Sequence, residues 1–296
     1  MSGTPWWLRN TSIKGESDPS WSWPPETVIG SRSNMLVKQV RALAQRKARD
    51  ETATFLTEGI LPVWRAVENG ARIVTLVIAP DLLRSDRARD MVAEQGDRGL
   101  PVAALSADLF RTLVERDHPS GLAAVVVAAP ARLPDLAVQR HSVFSIFYTP
   151  SNPGNLGACL RTIEATAGAG AIVAGGGTDI YHPTAVKASM GALFSLPVVA
   201  QAEWPVVRAW CAEHGITLVA TTSHATQDLW QAPLPRPLAV VFGNEGEGLP
   251  DEVIRDCQAA TVIPMAHGGS LNMAVATAVV LFELRRRLLA DNPDRV

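Results

Sequence analysis

The sequence predicts an α/β chain of two domains, the larger and C-terminal one built on a parallel sheet. Three observations carry this expectation. The 296 residues are close to twice the ~150 that one domain commonly takes. Short apolar runs that read as strands alternate with longer stretches of helical period. The alternation stops at a proline-bounded segment, Pro130 to Pro134, and starts again after it.

Composition narrows the function classes. Hydrophobic residues are 47% and charged residues 19% of the chain, too apolar for a disordered protein. Lys and Arg number 27 against 29 Asp and Glu, a net charge of −2, which excludes a generally basic coating protein but not a local basic patch. The three cysteines lie far apart without CxxC spacing, so neither a disulfide framework nor a zinc ribbon is expected. No apolar run approaches the ~20 residues of a membrane span, and the N-terminus lacks the apolar core of a secretory signal. A cytoplasmic protein without a membrane segment is expected.

Residues 1–30 read as an irregular arm, with Trp6, Trp7, Trp21 and Trp23 among Pro, Ser and Gly. Indoles of this kind pin an arm to the body or stack on bases. Residues 31–130 read as a small α/β domain. A helix is expected from Ser33, with Leu36, Val40 and Leu43 on one face and Lys38, Arg41, Arg46 and Arg49 roughly opposite. Residues 31–50 hold six basic residues against two acidic ones, counting the adjacent Glu51. That is either a solvated face or one that tracks phosphates. Phe55–Glu68 reads as a second helix, Ile73–Ala79 as a strand, Ser106–Glu115 as a helix and Leu122–Ala128 as a strand.

The second domain, residues 138–296, opens with a buried strand, Val143–Tyr148, a loop to Asn155 and a helix from about Leu156 to Ala167. Ala171–Ala174, Ile216–Ala220, Leu238–Phe242 and Ala260–Ile263 read as further strands. Pro205–His214 reads as a helix and Leu271–Leu289 as a long apolar one. Such a βαβ series implies a parallel sheet covered on both faces, with ligands outside the carboxyl ends of the strands.

Three loops at strand ends concentrate the polar and glycine residues. In Asn152-Pro153-Gly154-Asn155-Leu156-Gly157, Asn155 suits a helix N-cap, and Arg161 follows less than two turns on; a helix N-terminus and an Arg fork both attract anions. In Gly243-Asn244-Glu245-Gly246-Glu247-Gly248-Leu249, the glycine order is wrong for a dinucleotide fingerprint, and the two glutamates would repel a pyrophosphate. In Ile263-Pro264-Met265-Ala266-His267-Gly268-Gly269-Ser270-Leu271-Asn272, Ser270 is placed to cap the long helix, with Asn272 in its first turn. Taken singly, each loop is equally a capped helix or a tight turn.

Taken in order, Asn155-x5-Arg161, Gly243-x-Glu245-x-x-Gly248-Leu249 and Ile263-Pro264-Met265 followed by Ser270-Leu271-Asn272 resemble the SpoU/TrmH branch of the SPOUT RNA methyltransferases. Lys187 to Pro197 is similar to the segment that this family carries between its first two motifs. The resemblance covers roughly 140–290 and extends more weakly over about 33–128, which is similar to a substrate-binding domain of ribosomal-protein-like fold. Lys187 stands where Arg is usual, Met273 where Val is commoner, and the loop from Ile263 to Ser270 is one residue short.

The resemblance implies a C-terminal SPOUT parallel-sheet domain with a deep trefoil knot, homodimerisation, and transfer of a methyl group from S-adenosylmethionine to a ribose 2′-hydroxyl without a metal. It implies Asn155, Arg161, Glu245, Ser270 and Asn272 as the polar catalytic set. It also implies Gly243, Ile263, Met265 and Leu271 at the cofactor, with Thr221 and Thr222 lining the same pocket. Because a guanidinium is a poor base, Arg161 is then expected to hold a phosphate and the developing alkoxide. Lys38, Arg41, Arg46 and Arg49 become candidates for structured RNA, ribosomal rather than transfer RNA. The rivals are a transfer-RNA methyltransferase, a non-catalytic RNA-binding or assembly factor on the same scaffold, and a nucleotide-dependent oxidoreductase. The last would need GxGxxG where the chain reads Pro150-Ser151-Asn152-Pro153-Gly154-Asn155. His182, His267 and Cys159, near these motifs, read as packed or solvated residues.

Overall fold

The computed structural model describes residues 23, 25, 27–115 and 118–291. They form two compact units. One holds the described residues up to Ala129 together with Tyr181–Lys187; the other holds Pro130–Ile180 and the described residues from Ala188 onward.

The first unit runs β1 (Val28–Ile29), α1 (Met35–Ala42), α2 (Arg46–Thr52), β2 (Thr54–Glu58), α3 (Ile60–Glu68), β3 (Ile73–Ile78), α4 (Asp86–Asp97), β4 (Val102–Leu105), α5 (Ala107–Arg111) and β5 (Leu122–Val127). The sheet order is β1-β4-β3-β5-β2. β1, β4 and β3 are parallel, whereas β5 runs antiparallel to both β3 and β2. Val37, Val40 and Leu43 pack with Val77, Leu105, Phe110 and Val125 in its core. Phe55 meets Tyr181 with ring centroids 4.6 Å apart.

Two expectations fail here. Phe55–Glu68 is not one helix: Thr54–Glu58 pairs along β5, with Phe55 opposite Val126, and Gly59 at φ 104° breaks the chain before α3. Phe, Leu and Thr suit a half-buried ladder, and a positive φ is open to glycine at little cost. Nor does one helix carry the basic stretch. Asn34 caps α1, which ends at Leu43, and α2 starts afresh at Arg46. Arg49 turns inward, 4% exposed, with Nη1 donating to Leu43 O at 2.8 Å and Ala44 O at 3.0 Å. It stitches the break and is withdrawn from the RNA-facing set. α4 and β4 were not read from the sequence: α4 is strongly polar, and β4 is only four residues, Val-Ala-Ala-Leu.

In the arm, Trp23 lies under the Arg89 guanidinium, 5.1 Å from the ring centroid to Cζ. Trp6, Trp7 and Trp21 lie outside the described residues.

The second unit runs β6 (Val143–Tyr148), α6 (Pro153–Ala165), β7 (Gly170–Ala174), β8 (Val198–Ala202), α8 (Trp204–Glu213), β9 (Thr217–Thr221), β10 (Leu238–Phe242), α9 (Asp251–Asp256), β11 (Ala259–Thr261) and α10 (Met273–Asp291); α7 (Pro183–Ser189) lies mostly in the first unit. Its sheet, β11-β9-β10-β6-β7-β8, is parallel at every step. β7 and β10 are buried throughout, as a sheet covered on both faces requires. Phe144, Ile146, Ile172, Val207, Trp210 and Leu218 fill one side, with Phe144 set edge-on to Trp210 at 5.3 Å.

The chain leaves β6 in one direction, through β7 to β8, and then crosses to β9 and β10 on the other side. β6 and β10 are therefore neighbours at a topological switch point, where loops diverge and open a crevice. Both strands end in the loops singled out above. Beyond β11, α10 returns to α6, where Cys159 Sγ lies 3.4 Å from Thr277 Oγ1. Arg287 of α10 donates to Ala232 O at 2.8 Å and to Leu229 O, and Arg236 donates to Leu284 O, tying the β9–β10 connection to this helix. Among the described residues no helix is long and apolar enough to cross a membrane.

Candidate active site

The loop after β10 is shaped by its own polar groups. Asn244 Oδ1 accepts from Gly246 N at 2.8 Å, and Asn244 and Gly248 exchange backbone hydrogen bonds at 3.1 and 2.9 Å. Its Nδ2 donates to Thr149 O, 2.7 Å away at the end of β6. A Cβ on Gly243 would stand 2.3 Å from the backbone carbon of Gly248, so only glycine closes this turn.

The turn aims Glu245 at the amino end of α6. One carboxylate oxygen, Oε2, accepts from Ser151 N at 3.0 Å and Ser151 Oγ at 2.7 Å; the other, Oε1, accepts from Asn152 N at 3.3 Å and Asn155 Nδ2 at 3.1 Å. Burial raises the carboxyl pKa, but the hydrogen bonds from Ser151 and Asn155 outweigh it and hold the group at about 2. Glu245 is thus a fixed anion at a helix N-terminus. The anion expected there from outside is supplied by the chain itself.

From Asn155 the network continues: its Oδ1 accepts from Asn272 Nδ2 at 3.0 Å. Asn272 Oδ1 in turn accepts from Ala274 N at 2.9 Å, and Asn272 O from Ala276 N at 2.9 Å. Three loops far apart in sequence are joined through Glu245, Asn155 and Asn272.

Two capping assignments change as a result. α6 starts at Pro153 and its cap is Asn152, whose Oδ1 accepts from Asn155 N at 3.0 Å. Proline at the first helical position loses no intrahelical bond, so the helix starts earlier than the apolar pattern suggests. Asn155 lies inside the first turn, its amide free to face the site. Asn272 rather than Ser270 caps α10, which leaves Ser270 exposed in the loop before it.

Arg161 is exposed and makes no hydrogen bond or ion pair among the described residues. It projects from the third turn of α6, the helix whose first turn carries Asn155. Cys159 is buried, and burial pushes its thiol up to about 12.

The candidate cofactor residues divide into two kinds. From Met265 to Leu271 no backbone N–H has an intramolecular acceptor among the described residues, so this loop presents a run of open donors. Gly243 lets the β10 loop approach closely, and Ile263 is half-buried where β11 gives way to the donor loop. The two threonines contribute less: Thr221 Oγ1 donates to Val241 O at 2.8 Å, and Thr222 Oγ1 accepts from His224 N at 3.2 Å. An open groove of about 740 Å³ lies elsewhere, at the amino ends of β9 and β11 beside Gln227 and Gln258, and gathers none of the motif residues.

Of the residues in the other unit, Lys38 and Arg41 are exposed on α1, with Arg41 Nη2 donating to Thr112 Oγ1 at 3.2 Å. Arg46 pairs loosely with Asp50 at 3.6 Å. His182 accepts from Thr184 N at 3.2 Å, a local turn contact. Lys187 donates to Glu115 O at 3.3 Å. Ser151 escaped the sequence reading, because a serine before a cap has no recognisable spacing to Glu245, 94 residues away.

Comparison with known proteins gives concordant findings. The SpoU rRNA methylase family model matches residues 142–282, and an MRM3-like substrate binding domain model matches residues 34–124. The chain is 31% identical over 274 residues to the 23S rRNA (uridine(2479)-2′-O)-methyltransferase of Streptomyces viridochromogenes, covering 90% of this chain and 94% of the relative. It is 29% identical over 259 residues to the 23S rRNA (guanosine(2553)-2′-O)-methyltransferase RlmP of Bacillus subtilis, covering 87% and 98%. The crystal structure of an AdoMet-bound rRNA methyltransferase from Sinorhizobium meliloti is similar with a TM-score of 0.81 at 32% identity, over 89% of this chain and 98% of that one.

Proposed function

The chain belongs to the SpoU rRNA methylase family, and from that premise we propose that it transfers a methyl group from S-adenosylmethionine to a ribose 2′-hydroxyl of ribosomal RNA. The observation that carries this reading is the hydrogen-bonded junction of Glu245, Asn155 and Asn272, with exposed Arg161 further along the helix that carries Asn155.

The open N–H groups from Met265 to Leu271 suit the acceptors of an adenine, a ribose and a carboxylate. Ile263, Met265 and Leu271 would hold the nucleoside, with Gly243 giving it room and Thr221 and Thr222 forming the floor. Bound there, S-adenosylmethionine supplies a methyl group already activated on a sulfonium.

The chain's own residues then position the hydroxyl and stabilise its oxygen as the proton leaves. Glu245 is poorly suited as a base, because four donors saturate its carboxylate and hold it ionised. A guanidinium is a poor base and a good anion ligand, so Arg161 meets the developing alkoxide and the neighbouring phosphate. Asn155 and Asn272 orient the ribose, and Ser270, exposed beside Asn272, contacts the RNA or Arg161. Of the basic face, Lys38 and Arg41 contact RNA phosphates, and Arg46 does so in competition with Asp50.

Two wider features belong to the same reading. The C-terminal segment threads a knot, supported by β11 beside β9, the return of α10 to α6 and the β9–β10 connection held against α10. The protein acts as a homodimer in the cytoplasm, and exposed Val275 and Phe282, seven residues apart on α10, fit the subunit contact.

The test is methyl transfer from labelled S-adenosylmethionine to separate pools of unmodified ribosomal and transfer RNA. Label in the ribosomal pool is expected. Label in transfer RNA alone moves the substrate class. No transfer to either pool, together with no binding of S-adenosylmethionine by calorimetry, overturns the reading.

A further inference from the structure

We propose that Ser151 is a positioning residue for methyl transfer: its hydroxyl locks the Glu245 carboxylate, and through it the Asn155 amide, into the orientation that the site needs. The inference rests on the reading above.

The four donors divide unevenly. Asn155 and the Asn152 N–H share Oε1, at 3.1 and 3.3 Å. Among the hydrogen bonds from other described residues, Oε2 receives those of Ser151, through N at 3.0 Å and Oγ at 2.7 Å. The hydroxyl bond is the shortest of the four and the only one to Oε2 that a side-chain substitution can remove. A carboxylate is planar, so fixing Oε2 also fixes where Oε1 points. Oε1 is the acceptor that sets the amide plane of Asn155, whose Oδ1 then receives Asn272. Removing the hydroxyl frees the carboxylate to rotate, and both asparagine contacts loosen together. The cap of α6 itself does not depend on Ser151, because Asn152 supplies it.

The consequence is kinetic rather than structural. Ser151 is hydrogen-bonded to none of the candidate cofactor residues, and its backbone N–H survives substitution. Losing a hydrogen bond to a charged group is worth about a factor of ten or more. It also weakens the preference for the ionised carboxyl, by about one to two pH units. Cys159, which feels the Glu245 charge, is kept neutral by its burial.

The experiment compares wild type, Ser151→Ala and Ser151→Thr on the RNA that wild type methylates. For Ser151→Ala the expected result is a kcat lower by about tenfold, with S-adenosylmethionine affinity close to wild type and a melting temperature lowered only modestly, by the weaker hold on the Glu245 carboxylate. The acid limb of its kcat profile should also move to higher pH. Ser151→Thr, which restores a hydroxyl, should recover most of the activity. An alanine variant with wild-type kcat and pH profile overturns the proposal. So does one whose loss lies wholly in cofactor affinity or melting temperature, or one that threonine fails to rescue. Wild-type protein without activity would overturn the functional reading instead, so the two failures are distinguishable.

Discussion

In the proposed mechanism Arg161 and Glu245 divide the chemistry between a free cation and a committed anion. Arg161→Ala should lower turnover by about 10²–10³, the scale on which one group facing developing charge acts, while S-adenosylmethionine binding by calorimetry is unchanged. Near-normal turnover would remove Arg161 from the mechanism. Glu245 carries a pH signature. Its carboxyl is held at about 2 against an ordinary 4.5, so its contribution to stability is complete above about pH 4.5 and disappears as pH falls through 2. Glu245→Gln should therefore flatten the acid side of the stability curve, and an unchanged curve would show that the four donors do not act on this carboxylate in solution. Most of these polar positions were legible as residue types in motifs. Their pairings were not, because hydrogen bonds such as Asn272 to Asn155 span 117 residues that only the fold brings together.

At the scale of elements, legibility followed burial. β6, β7 and β10 are apolar runs in a covered sheet, and the sequence reading placed them to within a residue. It failed where one pattern served two structures. Phe55–Glu68 looks continuous because β2 and α3 are both apolar on one side, and the break depends on Gly59 alone. The helix wheel over 33–49 ran through a break that Arg49 closes from within. The element with most at stake is α10. Glu283 is 8% exposed and held at about 2, first by Arg286 and, beyond the cost of burial, by Arg287. Arg287 in turn donates to Leu229 O and Ala232 O. Glu283→Gln removes the charge that fixes this clamp and should cost about 2 kcal/mol, read as a lower melting temperature. A variant that melts with wild type would mean that the β9–β10 connection stays on α10 without the clamp.

Across the whole molecule, the proposed function assigns the phosphate-binding cations to one unit and the ribose-facing junction to the other. Net charge concealed this, since 27 basic residues are balanced by 29 acidic ones over the chain. Lys38→Ala and Arg41→Ala should each weaken RNA binding about equally for different sequences. Each should reduce the slope of log K against log salt by about 0.7–0.9, the value of one lost phosphate contact. Arg49→Ala should instead destabilise the first unit, because it leaves two carbonyls without their donor. The central claim is that the methyl group goes to a ribose oxygen, and alkaline hydrolysis of the labelled RNA tests it most directly. Alkali cleaves a phosphodiester through the adjacent 2′-hydroxyl, so a methylated ribose protects its own linkage. The account predicts that the label is recovered in alkali-resistant dinucleotides; label recovered in mononucleotides would place the methyl group on a base and contradict it.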